Sequence, residues 1–290
     1  MSQNESAEIT QHKQRVSKIF DGAAPTYGQV GPPFFSHFGR RLVEIAQIPN
    51  GSKVLDVATG RGALLFPAAE SVGADGKAIG IDFSEKMVQE TRKELLRLKL
   101  SPNIELVQMD AEHLQFPDET FDFVLCGFAI FFFPQLYQAL GEFRRVLKPG
   151  GFVCVSTFDK SFGDGWTWLY NIVDSFLPSE PEEKKDPESE AEPKPVFGTP
   201  DGLQEIMATA SFENVKIFTE GGDFIYPTND EFWASLWSHG FRRLLGMIEK
   251  ETGSEGLQRF KGEVFTKLDS IMQNDGYHQQ INVHVCLAPK

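Results

Sequence analysis

The clearest chemical pattern in the sequence is a glycine turn followed, one strand later, by a carboxylate. The apolar run Val54–Val57 contains Asp56 and leads directly to Gly60 and Gly62. Glycines let the backbone approach a ligand closely, and a helix that follows them offers unpaired N–H groups. Asp82 comes 20 residues after Gly62, at the end of the next apolar run. Nucleotide-binding sheets place a carboxylate there for the ribose hydroxyls, so the pattern predicts a nucleoside ligand.

The glycine turn alone does not identify the ligand, because dinucleotide sites have nearly the same layout. Leu65 stands where a dinucleotide fingerprint has its third glycine. Asp56 would repel a pyrophosphate but attract an amino group or a sulfonium. An equally good interpretation makes Asp56 a cap for the amides of its own turn, and the two roles are compatible.

Strand-length apolar runs alternate with helical patterns through the middle of the chain. The predicted strands are Val54–Val57, Ala78–Ile81, Ile104–Val107, Phe121–Cys126 and Phe152–Ser156. Helical faces run over Phe34–Ala46, Ala63–Ser71 and Leu136–Leu147, and over a helix that Ser84 is expected to cap. This alternation predicts an α/β fold with a parallel, doubly wound sheet.

The patterns at the two ends of the chain are more varied. Residues 1–15 are polar and are expected to fray. The apolar residues of Trp233–Ile248 predict one helical stripe, and those of Leu257–Leu268 predict another. Ile281–Leu287 alternates with period two, which predicts a strand with one buried face and His284 exposed.

The acidic, proline-containing segment Ser179–Pro195 has no apolar periodicity and is predicted to be solvated. It is interpreted either as a lid or as a surface insertion, and the insertion is favoured. The chain divides into an N-terminal helical cap (1–50), a cofactor-binding core (51–158), an insertion (159–200) and a C-terminal part of the same sheet with a helical insertion (201–290).

Four ordered motifs carry a resemblance to a known family. They are VLDVATGRG, GIDFSEKM, QMDAEHLQFPDETFDFVLC and FRRVLKPGG, and the resemblance covers about residues 16–158. The chain resembles the class I S-adenosylmethionine-dependent methyltransferases, most closely the branch with ubiquinone/menaquinone and natural-product methyltransferases. The resemblance implies a Rossmann-like, seven-stranded, mostly parallel sheet whose last strand is antiparallel. It also implies S-adenosylmethionine as the cofactor.

The same resemblance implies roles for individual residues. Around the methionine part and the sulfonium it places Asp56, Gly60, Gly62, Cys126 and Phe128. Around the ribose and the adenine it places Asp82, Phe83, Met87, Asp110 and Ala111, and it implies that Tyr27 closes over the cofactor. Ala58-Thr59 departs from the Gly-Cys or Gly-Ser that is more usual in the family, which changes the packing of the loop.

The acceptor is expected to be hydrophobic, because the chain has 26 Phe but only five Tyr and four Trp. The carboxyl edge of such a sheet is where ligands bind. The residues predicted to line an acceptor pocket there are Phe34, Phe35, Phe132 and Trp237. Trp237 is also a candidate for a dimer contact. His37 and His239 are the candidate general bases, which an amine or an acidic phenol would not need.

Composition excludes several classes of function. The net charge of −13 argues against nucleic acid as the main partner, since phosphate binding needs a basic surface. No apolar run reaches 18 residues and the N-terminus does not resemble a secretory signal, so neither a membrane span nor secretion is expected. The three cysteines have no CxxC spacing and predict neither a disulfide framework nor a metal site. A cytoplasmic location is therefore expected.

The predicted function is methyl transfer from S-adenosylmethionine to a hydrophobic or aromatic small molecule. The sequence does not determine whether the methylated atom is O, N or C. A nicotinamide-dependent oxidoreductase and a non-catalytic protein that binds S-adenosylmethionine are the alternatives. A homodimer is also considered.

Overall fold

The computed structural model describes residues 3–98, 103–177 and 195–290, which form a seven-stranded sheet flanked by helices. The strands are β1 (Lys53–Val57), β2 (Lys77–Asp82), β3 (Ile104–Gln108), β4 (Phe121–Gly127), β5 (Leu147–Phe158), β6 (Lys216–Tyr226) and β7 (Tyr277–Pro289). The helices are α1 (Gln3–Ala23), α2 (Phe34–Ala46), α3 (Leu65–Val72), α4 (Glu85–Leu98), α5 (Leu136–Val146), α6 (Ser161–Phe176), α7 (Pro200–Thr209), α8 (Asn229–Trp237) and α9 (Arg242–Ile271).

The sheet has the order β3-β2-β1-β4-β5-β7-β6. Strands β1 to β5 pair in parallel, whereas β7 runs antiparallel to both of its neighbours. The predicted mostly parallel sheet with an antiparallel last strand is confirmed. Because β1, β2 and β4 end at the same edge, the segments that follow them lie side by side there.

Helices cover both faces of the sheet, as the alternation of side chains along β1 requires. Leu55 points to the face where Phe143 of α5 and Met207 of α7 pack. Its neighbour Val54 points to the opposite face, against Leu42 of α2 and Ala68 of α3. Adjacent residues of a strand face opposite sides, so a strand buried on both faces is mostly apolar. The predicted doubly wound arrangement is confirmed.

The prediction that His284 is exposed is wrong. The residue lies on β7, an interior strand between β5 and β6, and only 2% of it is exposed. Its Nδ1 lies 3.1 Å from Oγ1 of Thr219, and its Nε2 lies 2.8 Å from a carboxylate oxygen of Asp159. The alternating pattern indicated a strand with one solvated face, but helices and neighbouring segments cover both faces.

The expected fraying of residues 1–15 is wrong for residues 3–15, which belong to the long helix α1. The ammonium group of Lys13 forms ion pairs with Asp110 and Glu112. Further along, Asp21 accepts a hydrogen bond of 2.6 Å from the Ser84 hydroxyl. A polar helix that could not be stable alone is thus held by polar contacts against the segments that follow β2 and β3.

The single helical stripe predicted for Trp233–Ile248 is also wrong. Helix α8 ends at Trp237 and α9 begins at Arg242, with a turn at 238–241 between them. The Ser238 hydroxyl donates to the Ser235 carbonyl, which ties back the end of α8. The second stripe, Leu257–Leu268, is confirmed as a buried face of α9.

At the end of α5 the boundary differs as well, because Leu147 begins β5 instead of ending the helix.

The predicted solvated segment Ser179–Pro195 lies outside the described residues apart from Pro195. The two interpretations of that segment, a lid or a surface insertion, therefore stay predictions. The four-part division of the chain stays a prediction. Within the described ranges, the helices are all too short or too polar to cross a bilayer.

Candidate functional site

A cavity of about 360 Å³ lies at the edge of the sheet where β1, β2 and β4 end. The glycine turn after β1 forms one wall, and α1 with the segment after it covers the opening. Most of the residues predicted to bind the cofactor line this cavity, namely Tyr27, Gly60, Gly62, Asp82, Phe83, Met87, Asp110, Ala111 and Phe128. The sheet topology therefore brings together residues that are separated by about 100 positions in the chain.

The turn after β1 requires backbone conformations that favour glycine. Ala58, Gly60 and Gly62 have φ angles of 55°, 51° and 82°. A Cβ atom on Gly62 would lie 2.7 Å from the ring of Phe66, so a side chain there would also be crowded. The backbone N–H of Thr59 donates to the carbonyl of Ile81, which fixes the turn to β2. The turn is thus a rigid cradle whose backbone stays open to a ligand.

Asp56 lies behind this turn and does not line the cavity. It is 1% exposed, and one of its carboxylate oxygens accepts a hydrogen bond of 2.6 Å from the Thr59 hydroxyl. Burial, with a smaller contribution from the charge of Asp82, raises the pKa of Asp56 to about 7, although the Thr59 hydrogen bond opposes the shift. This geometry supports the interpretation in which Asp56 holds its own turn.

We expect Asp56→Asn to stabilise the protein at pH 7.5 and to have little effect at pH 4. The pKa of Asp56 is higher in the folded chain than its ordinary 3.8, so the native state binds more protons in that window. Its contribution to stability therefore falls as the pH rises from about 4 to about 7. One pKa unit corresponds to about 1.4 kcal/mol, and we expect a gain of at least that size.

Urea denaturation of the wild type and the variant at the two pH values measures this difference. Asp75→Asn is the matched control, because Asp75 is exposed in the turn before β2. An Asp56→Asn variant that is equally destabilised at both pH values would contradict the raised pKa.

Asp82 ends β2 and faces the cavity. Its two carboxylate oxygens accept hydrogen bonds from the backbone N–H of Gly60, at 2.9 Å, and of Ser84, at 2.8 Å. Burial raises the pKa of Asp82 to about 6 against these hydrogen bonds, and the charge of Asp21 adds to the shift. The side chain is therefore an oriented acceptor in a partly dehydrated site, and it can bind a pair of hydroxyl groups.

Asp110 lies at the other end of the cavity, where α1 crosses it. One carboxylate oxygen accepts from Lys13 at 2.7 Å and the other from the backbone N–H of Glu112 at 2.9 Å. Partial burial opposes ionisation, but these hydrogen bonds lower the pKa of Asp110 below its ordinary value. Asp110, Glu112 and His113 also offer ligand atoms within 4.8 Å of one another. The ammonium of Lys13 is already paired with both Asp110 and Glu112. The absence of a metal stays a prediction.

A second cavity, of about 180 Å³, adjoins the first. Its walls are largely aromatic and come from α6, β6, β7, the turn between α8 and α9, and the segments around α2 and β4. Among the described residues, those that line both cavities form what we call the shared wall: Phe20, Tyr27, Gly28, Phe35, Phe128 and Phe132. Of the predicted acceptor-pocket residues, the second cavity contains Phe34, Phe35 and Phe132.

Aromatic contacts hold the shared wall together. Tyr27 stacks on Phe35 with ring centroids 4.9 Å apart, and Phe20 meets Phe132 edge to face at 5.2 Å. Burial, together with the charge of Asp82, raises the pKa of the Tyr27 hydroxyl, so it stays protonated at neutral pH. The wall is therefore uncharged and offers little to attract water.

Phe128 occupies a strained position in the shared wall. Its φ angle is 52°, in the left-handed region that bulky residues avoid. Its ring packs against Phe158 at 4.8 Å and against Phe34 at 5.3 Å. Strain of this kind costs about 1–3 kcal/mol and is concentrated at functional sites. The packing at the end of β4 therefore forces an aromatic ring between the two cavities.

We expect Phe128→Gly to be more stable than Phe128→Ala by about 1 kcal/mol, because only glycine adopts the left-handed region without a steric cost. Both variants lose the same ring, so their difference in urea denaturation isolates the backbone strain. The neighbouring Ala129, with φ of −131°, is the control, since Ala129→Gly should lower stability. A Phe128→Ala variant that is as stable as Phe128→Gly would show that the backbone is not strained.

Besides Asp56, three predicted residues are not brought to either cavity. Cys126 is fully buried in the core beside Val57, and burial raises its pKa. His37 is exposed and packs edge to face on Phe38 at 4.9 Å. Trp237 ends α8 and lies under Arg242, because the break in the predicted stripe turns it away from the cavity.

The break instead brings His239 to the second cavity, where burial lowers its pKa to about 4. This histidine is neutral at physiological pH and is a weak base.

Two residues that line the cavities were missed by the sequence analysis. Lys13 was assigned to a fraying segment, and Gln279 has no motif around it. The predicted strand Ile281–Leu287 begins after Gln279, so the sequence gives no signal for this residue, which the structure places on the longer β7.

Comparisons with known proteins agree with this arrangement. The profile of the ubiE/COQ5 methyltransferase family matches residues 9–222. The aklanonic acid methyltransferase DauC of Streptomyces sp. strain C5 is 43% identical over 140 residues, a match that spans 48% of this chain and 63% of that relative. The demethylmenaquinone methyltransferase of Staphylococcus carnosus is 33% identical over 221 residues, which are 72% of this chain and 90% of that relative.

Solved structures show a likeness of fold. The YcgJ protein of Bacillus subtilis aligns with a TM-score of 0.55 and 16% identity, over 88% of this chain and 98% of that one. Phosphoethanolamine N-methyltransferase 2 of Haemonchus contortus, in complex with S-adenosyl-L-methionine, aligns with a TM-score of 0.50 and 16% identity, over 90% of this chain and 53% of that one.

Proposed function

Because the chain belongs to the ubiE/COQ5 methyltransferase family and is thus an S-adenosylmethionine-dependent methyltransferase, we propose that it methylates a hydrophobic or aromatic small molecule held in the second cavity. The observation that carries this proposal is the shared wall. The first cavity has the polar groups of a nucleoside site, the second is lined largely by aromatic rings, and the two meet at the same aromatic residues.

The residues of the first cavity fit the cofactor. Asp82 would accept from the two ribose hydroxyls, and the exposed ring of Phe83 and the side chain of Met87 would pack on the adenine. Gly60 and Gly62 would leave room for the methionine part. The adenine amino group would share Asp110 with Lys13, which already holds that carboxylate.

The proposed mechanism depends on position and on the exclusion of water. Bound S-adenosylmethionine supplies a methyl group on a positively charged sulfonium. The rings of Tyr27, Phe35 and Phe128 would hold the acceptor atom against that group at the shared wall, where alignment lowers the barrier. An anionic acceptor loses its charge in the reaction, so a dry, uncharged wall favours the transition state.

The chain supplies little base catalysis in this proposal. His239 lies in the second cavity, but its pKa of about 4 makes it a poor proton acceptor at neutral pH. We propose no catalytic role for the exposed His37. The acceptor would then be an amine, an acidic hydroxyl or a carboxylic acid, or an activated carbon, each of which can react without a dedicated protein base.

The test combines binding with turnover. Calorimetry with S-adenosylhomocysteine and with NAD distinguishes the methyltransferase from the nicotinamide-dependent alternative. Formation of S-adenosylhomocysteine is then measured with aklanonic acid and with demethylmenaquinone, the compounds named in the two relatives. We expect the protein to bind S-adenosylhomocysteine but not NAD, and to methylate an aromatic acceptor. Binding without turnover of any aromatic acceptor would favour the non-catalytic alternative.

We also propose a cytoplasmic location, which the three free, buried cysteines support because reducing compartments keep thiols unpaired. A homodimer stays a prediction that light scattering of the purified protein would test. The net charge of −13 supports a small-molecule partner over nucleic acid.

A further inference from the structure

Several polar residues line the second cavity but not the first, so they lie outside the shared wall. We call the group formed by Tyr226, Ser235, Ser238, His239 and Gln279 the polar end. The rest of that cavity is lined mainly by phenylalanine rings and by other apolar groups. A polar group deep in an apolar cavity is usually hydrogen-bonded, so each of these residues needs a partner.

Gln279 lacks such a partner. It lies on β7, opposite Phe224 of β6, and is 2% exposed. Both its Oε1 and its Nε2 are buried without a hydrogen-bond partner among the described residues. An unpaired buried amide destabilises the folded protein, because it has lost its hydrogen bonds to water without forming others. A ligand that supplies both a donor and an acceptor would remove this penalty.

His239 adds a second donor to the polar end. Its Nδ1 accepts a hydrogen bond of 3.4 Å from the backbone N–H of Phe241. A neutral imidazole with an accepting Nδ1 carries its hydrogen on Nε2, and we assign that tautomer here. The Ser235 hydroxyl already donates to the carbonyl of Phe232, the Ser238 hydroxyl donates to the carbonyl of Ser235, and the Tyr226 hydroxyl lies near that of Ser235. The groups left for a ligand are therefore the Gln279 amide and the Nε2–H of His239.

We propose that the polar end binds the acceptor through oxygen atoms on the side opposite the methylated position, and that the acceptor is a ring system carrying a neutral carbonyl and a neutral hydroxyl group there. The inference rests on the proposed function. Gln279 donates to the carbonyl and accepts from the hydroxyl, while His239 donates to either oxygen. The described residues that line the second cavity include no Lys, Arg, Asp or Glu, so a charged group at this end would have no counter-ion.

The size of the cavity limits the acceptor. A cavity of 150 Å³ holds one benzene ring, so about 180 Å³ holds one ring or a small fused pair. Larger ring systems would extend past the shared wall toward the first cavity. The methylated atom would then lie at the shared wall while the oxygens stay at the polar end.

The experiment compares two probes in calorimetry with saturating S-adenosylhomocysteine. One is 7-hydroxy-1-tetralone, a neutral fused pair with one carbonyl and one hydroxyl, and the other is tetralin, which has neither. We expect Gln279→Leu to weaken binding of the hydroxytetralone about tenfold and to leave tetralin binding unchanged or tighter. Gln280→Leu, on the exposed face of the same strand, should change neither.

Gln279→Met serves as a second variant if Gln279→Leu does not fold. His239→Phe should weaken only the hydroxytetralone, about threefold or more. The inference is overturned if Gln279→Leu and Gln279→Met change both probes equally or neither, or if the wild type binds neither probe. Absence of S-adenosylhomocysteine binding in the same samples would instead overturn the proposed function.

Discussion

Replacing Asp82 with alanine is expected to lower the affinity for S-adenosylhomocysteine about 100-fold. In our proposal the carboxylate accepts from two ribose hydroxyls, and a hydrogen bond to a charged group contributes about 1.5–3 kcal/mol. Two such bonds correspond to at least a 100-fold change, since about 1.4 kcal/mol is a factor of ten. Because Asp82 already accepts from Gly60 and Ser84, its orientation is fixed before the ligand binds.

Calorimetry measures this effect, and two variants control for damage to the turn. Asp82→Asn keeps an oxygen for the Gly60 N–H but loses the charge, so its loss of affinity should be intermediate. Asp75→Ala lies at the opposite end of β2, in an exposed turn, and should bind normally. If Asp82→Ala melts at the wild-type temperature and binds S-adenosylhomocysteine with wild-type affinity, the ribose does not lie at this carboxylate.

The second large effect is expected for Gly240→Trp, which should reduce methyl transfer about 100-fold while leaving S-adenosylhomocysteine affinity within about twofold. Gly240 lines only the second cavity and is exposed, so it lies at the rim. A Cβ atom there would meet nothing within 4 Å, which means that the backbone tolerates a side chain. An indole at the rim would displace the acceptor, and misplacement by about 1 Å can cost about 100-fold in rate.

Gly262→Trp is the matched control, because Gly262 is exposed on α9, its Cβ would also be unobstructed, and it lines neither cavity. The measurement is the formation of S-adenosylhomocysteine with the acceptor that the wild type methylates best. Equal rates for the two tryptophan variants would mean that the acceptor does not enter the second cavity.

The cofactor side could be predicted from the sequence because its signals are local. The turn at Gly60 and Gly62 and the carboxylate of Asp82 follow directly from the strands that carry them. Parallel strands end at one edge, so the order of the motifs was enough to bring these residues together. The same reasoning could not tell that Asp56 faces away from the cavity, since that depends on packing behind the turn.

The acceptor side could be predicted only in part, because distant segments build it. Phe34 and Phe132 were found through their place in the fold, but Trp237 was misassigned because one helix was expected where there are two. No local sequence pattern marks Gln279 as a binding residue. Its role is inferred only from the structure, where its buried amide has no hydrogen-bond partner among the described residues. Lys13 was not predicted as a site residue for a related reason, because its ion-pair partners lie about 100 residues away in the sequence.

The position of β7 has a consequence for the order in which the molecule assembles. Strand β6 precedes β7 in the chain but touches the sheet only through it. A folding intermediate without β7 can therefore complete the nucleoside pocket, which uses β1, β2 and β4, while β6 and the helices around it have no edge to join. Recognition of the small molecule would be acquired late, through contacts of high sequence separation that form slowly. Pulse-labelling hydrogen exchange during refolding should accordingly protect the amides of β1 before those of β6.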